Sequence, residues 1–258
     1  MVFKPTVLII SNKYDYSTDH VVYQLEKLNI KYLRLNRDQF SEYELVLDPI
    51  NKKFYGKTKV LEFEIDEANL KSIYFRAPIY LRINQKKNLS IDENLSRNQW
   101  VSFLRSLMIF EDVLWVNHPQ ATFLSETKPF QLKVANELGF NIPKTVISNT
   151  SNISDFDDEI AFKTLDPAIF PVDNKQSFIY TNFLNSNKLK DYNLSEVPII
   201  IQNALVPKID IRVTVVKDYV FPVSIKYLNK GINNDWRLQK DNLNYELIDL
   251  PQDIIDKC

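Results

Sequence analysis

Five charged residues, Lys128, Lys163, Asp210, Arg212 and Arg237, stand where a cation or a carboxylate has chemistry to do. Lys128 follows Ser125 and Thr127, two helix-capping types, and precedes Pro129. Leu132, Ala135 and Leu138 then repeat at helical spacing, and Gly139 is a natural terminator. Lys128 therefore falls at a helix N-terminus, where backbone N–H groups and the positive dipole end already attract an anion and a lysine adds a full charge. The plainer alternative is a solvated lysine beside a cap. Lys163 lies in the otherwise apolar run EIAFKTL. A long cation there costs free energy unless an anion or a water-filled cleft receives it, or unless the strand is an edge that turns it to solvent.

Downstream, PIIIQNALVPKIDIRVTVV pairs two apolar strands around a polar break. Gln202, Asn203, Ala204 and Leu205 at that break are placed to offer backbone amide and carbonyl groups to a base edge. Asp210 and Arg212 alternate with Ile211 and Val213, so both charges share one strand face, either as an ion pair or as contacts to ribose and phosphate. NNDWR ends with Arg237, whose guanidinium suits bidentate contact with phosphate or carboxylate. The two histidines, His20 and His118, read as capping or loop residues, and nothing resembles a Ser/His/Asp triad or a His/Cys zinc cluster.

These residues need elements to hold them. TVLIIS (6–11) reads as a buried strand, 18–29 as a helix carrying Val21, Val22, Leu25 and Leu28, and KYLRL (31–35) as a second strand, which makes a βαβ unit. Residues 43–65 hold two alternating runs around NKKFYG, the pattern of a hairpin. SIYFRAPIY is a further strand ending at Pro78, and 91–110 is helical with Trp100, Leu104, Leu107 and Met108 on one face. Past Pro143, strand-like runs dominate: KTVIS, EIAFKTL, FIYTN, PIIIQNAL, DIRVTVV and YVFPVSIKY. The polar stretches at 150–158 and 185–195 read as exposed connections. The expected division is an α/β domain at 1–120 and a nucleotide-binding region at 121–258.

Composition bounds the function. With 258 residues and 45% hydrophobic content the chain can bury a substantial core. A net charge of −1 gives no electrostatic reason to expect nucleic acid or an anionic membrane as the main partner. A single cysteine, at the last position, fits a reducing compartment, and no run approaches a membrane span, so the expected location is the cytoplasm. Three glycines cannot build a Walker loop or a GxGxxG fingerprint, so any nucleotide must be held by lysines, arginines and a strand-to-strand clamp.

Several ordered motifs resemble the ATP-grasp superfamily and, within it, the ligases that macrocyclise ribosomal peptides, the microviridin or graspetide maturases. They are VLIIS with STDHVVYQLEKLNIKYLRLNRDQF, SIYFRAP, WVNHPQATFLSETKPFQLKVANELGFNIPKT, FKT followed by IYTN, and IIIQNALVPKIDIRVTVV with DWR. The resemblance implies an ATP-grasp-like α/β fold with a βαβ N-terminal domain, a central mixed region and an antiparallel-rich clamp, with ATP and Mg2+ as cofactors. It implies that Lys128 and Lys163 reach the ATP phosphates, that Gln202, Asn203, Ala204 and Leu205 form the hinge that reads adenine, and that Asp210 is the ribose-side acid. Arg212 and Arg237 would lie near the transferred phosphate. The implied reaction activates an Asp or Glu side chain of a precursor peptide as an acyl phosphate, which a Ser or Thr hydroxyl or a Lys amine then displaces. The implied partner is that peptide, leader and core, bound by a homodimer.

Two departures from the family pattern stand out. Such enzymes finish with a strand bearing an acid, then a Glu and an Asn two residues later, which hold magnesium, whereas this chain stops at Cys258. Asp241, Asp249, Asp253 and Asp256 have no such context and are not nominated as ligands. The expectation is a truncated form of a longer ligase, with LPQDIIDKC opening a helix. The alternatives are a ligase that adds amino acids to a protein or peptide end, and a catalytically dead binding homologue. The second departure is the connection from Lys163 to Ser177, which lacks glycine and carries Pro167 and Pro171, both of which restrict a phosphate-covering loop.

Overall fold

The computed structural model describes residues 2–76, 90–165, 169–172, 175–239 and 241–258, with the segments 169–172 and 175–178 described by their backbone alone. The chain divides into two compact units, Met1–Glu126 and Thr127–Cys258. The division falls a few residues beyond the expected 120/121.

In the first unit β1 (Val7–Ser11), α1 (Tyr16–Lys27) and β2 (Tyr32–Asn36) form the expected βαβ unit, with β1 and β2 parallel. Asp15 caps α1 by accepting from the Thr18 N–H, and His20 sits exposed within this helix, neither cap nor loop. An antiparallel meander follows: β3 (Glu44–Asp48), β4 (Lys53–Lys57) and β5 (Glu62–Asp66). The sequence predicts a hairpin turning about NKKFYG, yet most of that run is β4 itself. Its glycine marks a close approach rather than a turn, because a Cβ on Gly56 would lie 2.0 Å from the Glu44 carbonyl oxygen on β3. The reversal comes earlier, where Lys52 takes a positive φ of 47°.

Next come β6 (Ser72–Phe75), α2 (Ile91–Ser106), β7 (Leu114–Val116) and α3 (Pro119–Ser125), giving a parallel sheet of order β2-β1-β6-β7. The strand end expected at Pro78 lies outside the described residues. Helix α2 opens with a capping box in which Ser90 accepts from the Glu93 N–H and the Glu93 carboxylate accepts from the Ser90 N–H. It closes as a short 3-10 turn through Ile109, so the expected 91–110 helix is α-helical only as far as Ser106. Leu8, Ile10, Leu33, Leu35, Phe54, Phe63 and Phe110 pack as the core of this unit. His118 caps α3 as expected, its Nδ1 accepting from the Gln120 N–H.

The second unit starts with α4 (Lys128–Glu137), with Thr127 at the N-cap position and Gly139 ending it at a φ of 78°. Strands β8 (Thr145–Ser148) and β9 (Glu159–Lys163) are followed by the hairpin β10 (Ile169–Val172) and β11 (Lys175–Phe178), then by β12 (Asn182–Asn185) and β13 (Ile199–Asn203). Four of these make an antiparallel sheet of order β12-β9-β13-β8. Pro171 falls in the hairpin strand β10, and Pro167 lies outside the described residues. Of FIYTN, expected as one strand, Phe178 ends β11 and Asn182 opens β12, while 179–181 form a junction in which the Thr181 N–H goes to the Asp235 carboxylate. The 185–195 stretch is not simply an exposed connection either: Leu189 and Leu194 are buried with Ile160 and Ile201 as the small core beneath this sheet.

A second sheet, β14 (Asp210–Val216), β15 (Tyr219–Tyr227) and β16 (Leu243–Leu247), is antiparallel throughout. One of its faces leaves Val216, Tyr219, Phe221, Tyr245 and Leu247 exposed. The chain closes with the four-residue α5 (Gln252–Ile255), in the segment expected to open a helix. No helix among the described residues is long and apolar enough to cross a membrane.

Candidate nucleotide site

Strand period and register build the site's floor. In β9, Ile160 and Phe162 point to the small core, so Ala161 and Lys163 point to the opposite face. Across the sheet, Phe183 pairs with Ala161, Ala161 with Gln202, and Gln202 with Thr145, which places one residue of each strand in a single row. A cavity of about 250 Å3 opens above this face. Ala161, Lys163, Phe183 and Gln202 supply the floor, and Leu205, Lys208 and Asp210 follow from the crossing between the two sheets. Asn234, Asp235, Trp236 and Arg237 come from the loop after β15, and Thr181 from the chain entering β12.

The apolar strand around Lys163 thus holds a cation for a geometric reason. Its ammonium donates to the Gln202 side-chain oxygen at 2.5 Å, and the Gln202 amide donates in turn to the Thr145 hydroxyl at 2.7 Å. Burial pushes the Lys163 ammonium below its ordinary range, the charges of Lys208 and Lys128 add to that depression, and Asp210 and Asp235 oppose it. Lys128 does not line the cavity but stands close by: its ammonium donates to the Leu165 carbonyl at 2.6 Å, just past Lys163. Lysines from three separate segments therefore repel one another around one spot, and an incoming polyanion relieves that repulsion.

Asp210 and Arg212 do not pair. Asp210 lines the cavity in an ion pair with Lys208, whereas Arg212 is exposed and lies outside the cavity lining, and its side chain forms no hydrogen bond or ion pair among the described residues. The shared strand face is real, but Lys208, two residues before Asp210, reaches the carboxylate first. The hinge residues divide as well. Gln202 spends its side chain on Lys163 and Thr145; Asn203 donates its N–H to Lys144 and its side-chain amide to Asp157. The Ala204 N–H goes to the Glu159 carbonyl. Leu205, 56% exposed and lining the cavity, is the one of the four whose N–H forms no hydrogen bond among the described residues.

Sequence reasoning missed Lys208 and Asp235. Asp235 is buried with a side chain only 3% exposed, and its carboxylate receives the guanidinium of Arg237 and the Thr181 N–H. Burial alone would raise this carboxyl, but the hydrogen bonds from the Arg237 side chain, the Thr181 N–H and the Arg237 N–H outweigh it and hold the group at about 2. Arg237 is raised in turn, chiefly by that carboxylate. The signal in the sequence was the D-x-R spacing of NNDWR, which lets an acid cap a turn and reach the arginine two residues on. Among the described residues, no group of three or more His, Cys, Asp or Glu side chains could hold a metal ion.

No protein-family model and no curated protein matches the chain. Solved structures do. A RiPP-associated ATP-grasp ligase of Chryseobacterium gregarium, in complex with ADP and a leader and core peptide, superposes at a TM-score of 0.77 with 21% identity. The match covers 98% of this chain and 79% of that one. The macrocyclase MdnC of Microcystis aeruginosa MRC, bound with the precursor peptide MdnA, gives 0.78 at 20% identity over 97% and 80%. D-alanyl-alanine synthetase A of Vibrio cholerae gives 0.53 at 10% identity over 100% and 78%. The chain has the ATP-grasp fold, as its motifs imply.

Proposed function

We propose that the chain is an ATP-dependent carboxylate ligase that forms ester or amide macrocycle crosslinks in a ribosomal precursor peptide. The observation that carries the reading is the convergence of Lys163, Lys208, Asp210 and Arg237 on one cavity of the ATP-grasp fold, with Lys128 close behind. The neighbours described as complexes with ADP, with leader and core peptide, and with precursor peptide support nucleotide and peptide as the two ligands. In this reading the half-buried lysines and Arg237 neutralise the ATP phosphates and Leu205 offers its free N–H to the base. A peptide carboxylate oxygen attacks the γ-phosphorus, the bond to ADP breaks, and an acyl phosphate forms. A hydroxyl or amine of the same peptide then attacks the acyl carbon, loses its proton, and expels phosphate. Phosphoryl transfer asks for positioning and charge neutralisation, which is what this set of side chains provides. Intramolecular attack gains from proximity once the peptide is held. Magnesium accompanies ATP as its counter-ion.

Calorimetric titration with ATP plus magnesium and with ADP tests the nucleotide half. Binding that is weakened at least about tenfold by Lys163→Ala supports the site, and a chain that binds neither nucleotide overturns it. Incubation with ATP and a Thr- and Glu-rich peptide, read by mass spectrometry, tests the second half: each crosslink removes one water from the peptide mass.

A further inference from the structure

We propose that Asp235 is the positioning residue for Arg237, fixing one edge of its guanidinium so that the other edge faces a phosphate group. The ligand class rests on the nucleotide reading above, while the fixing of Arg237 rests on geometry alone. Asp235 Oδ1 accepts from Arg237 Nε at 2.8 Å and from the Arg237 backbone N–H at 3.1 Å, and Oδ2 accepts from Arg237 Nη2 at 2.6 Å and from the Thr181 N–H at 3.1 Å. Those four bonds fill the acceptor capacity of a carboxylate, so the acid has nothing left for a ligand. Arg237 is the reverse case. Its side chain is 56% exposed, and Nη1, together with the second proton of Nη2, forms no hydrogen bond among the described residues. Nε and Nη2 form one edge of the planar fork, and Nη1 and Nη2 the other. An arginine clamped on the first edge presents the second as a ready bidentate donor, the geometry that matches two phosphate oxygens.

The placement of the acid distinguishes this pair from an ordinary surface ion pair. An exposed arginine pays side-chain entropy to hold one geometry, and exposed pairs commonly gain little. Here the carboxylate is immobile because it is buried and tied to the backbone of two segments, the 235–237 turn and the chain entering β12. The entropy of ordering Arg237 is spent on folding rather than on binding. A carboxylate beside a cluster of lysines subtracts from the attraction for an anion, a cost that the orientation of Arg237 offsets.

The test combines a double-mutant cycle with a measurement that needs no nucleotide. Dissociation constants for ATP plus magnesium are taken for the wild type, Asp235→Asn, Arg237→Ala and the double variant, with unfolding temperatures alongside. Asp235→Asn is expected to weaken binding about fivefold to tenfold, and the double variant to bind no more weakly than Arg237→Ala alone, because the acid acts only through the arginine. Losses that multiply in the double variant, or wild-type affinity in Asp235→Asn, overturn the proposal. Should Asp235→Asn not fold, Asp235→Glu keeps the charge while displacing the fork, and wild-type affinity in that variant also overturns it. In parallel, the Arg237 Nε–H exchange rate is read by 15N NMR in nucleotide-free protein, assigned by its loss in Arg237→Lys. Slow exchange that accelerates at least about tenfold in the Asp235 variant is expected, and an unchanged rate overturns the fixing of Arg237. A wild type that binds no ATP defeats the nucleotide reading alone, and the exchange rate then decides the role of Asp235.

Discussion

At Lys163 a two-residue strand period decides whether a cation is a liability or an instrument. Shifted by one position it would enter the small core with Ile160 and Phe162; where it stands, it meets Gln202 and a cavity. Its ammonium titrates below the ordinary 10.5 because it is buried and faces Lys208. Binding a polyanion favours the charged form, so affinity for ATP is full while Lys163 is protonated and declines as pH rises through its lowered pKa. Calorimetry across the alkaline range should show the decline beginning earlier than a solvent lysine would dictate, and Lys163→Arg should remove it. Arg237→Ala is expected to cost turnover on the order of 100-fold in peptide crosslinking. Asp235 has the opposite sign. Its folded pKa of about 2 lies below the unfolded value near 3.8, so the stability it contributes is present above that value and is lost as pH falls from there through about 2. Acid titrations followed by circular dichroism should show a shallower loss for Asp235→Asn in that window.

The elements place these residues, and two glycines expose how tightly. Gly56 lets β4 pass the Glu44 carbonyl, and Gly231 does the same at the Lys208 carbonyl, where a Cβ would lie 2.1 Å away. Gly231→Ala therefore has to push the segment that carries Lys208 and Asp210. We expect it to weaken ATP binding while leaving the first unit's core intact, whereas Gly56→Ala should cost roughly 1–3 kcal/mol of stability, measured by urea unfolding. The same glycines show what sequence reading can and cannot see. The βαβ unit and helix α2 were legible because buried strands and amphipathic helices announce themselves by period. The 43–65 meander was not, since a strand glycine that admits a neighbour's carbonyl looks the same in sequence as a turn glycine. β16 passed unnoticed because its LNYEL lies almost wholly in solvent. In the site, Lys163 and Arg237 were legible as charges out of place. Lys208 and Asp235 were not, since each acts on a partner only two residues away and so imitates a local turn.

At the scale of the whole molecule, the absence of a glycine-rich phosphate loop shifts anion binding from backbone amides to side chains. Side-chain charges are screened by salt more than closely held amides are, so ATP affinity should drop clearly between 50 and 500 mM potassium chloride, roughly as the Debye length contracts. A flat response would place the phosphates on backbone groups after all. The face of the β14–β16 sheet that carries Val216, Tyr219, Phe221, Tyr245 and Leu247 leaves a mark on handling rather than on chemistry. With a net charge of −1 the protein has almost no long-range repulsion to keep copies apart. Concentrated samples of this chain should therefore scatter light increasingly as salt is added and enhance the fluorescence of an apolar dye. Phe221→Lys, which adds a charge in the middle of that oily surface, should make them clear and dye-silent.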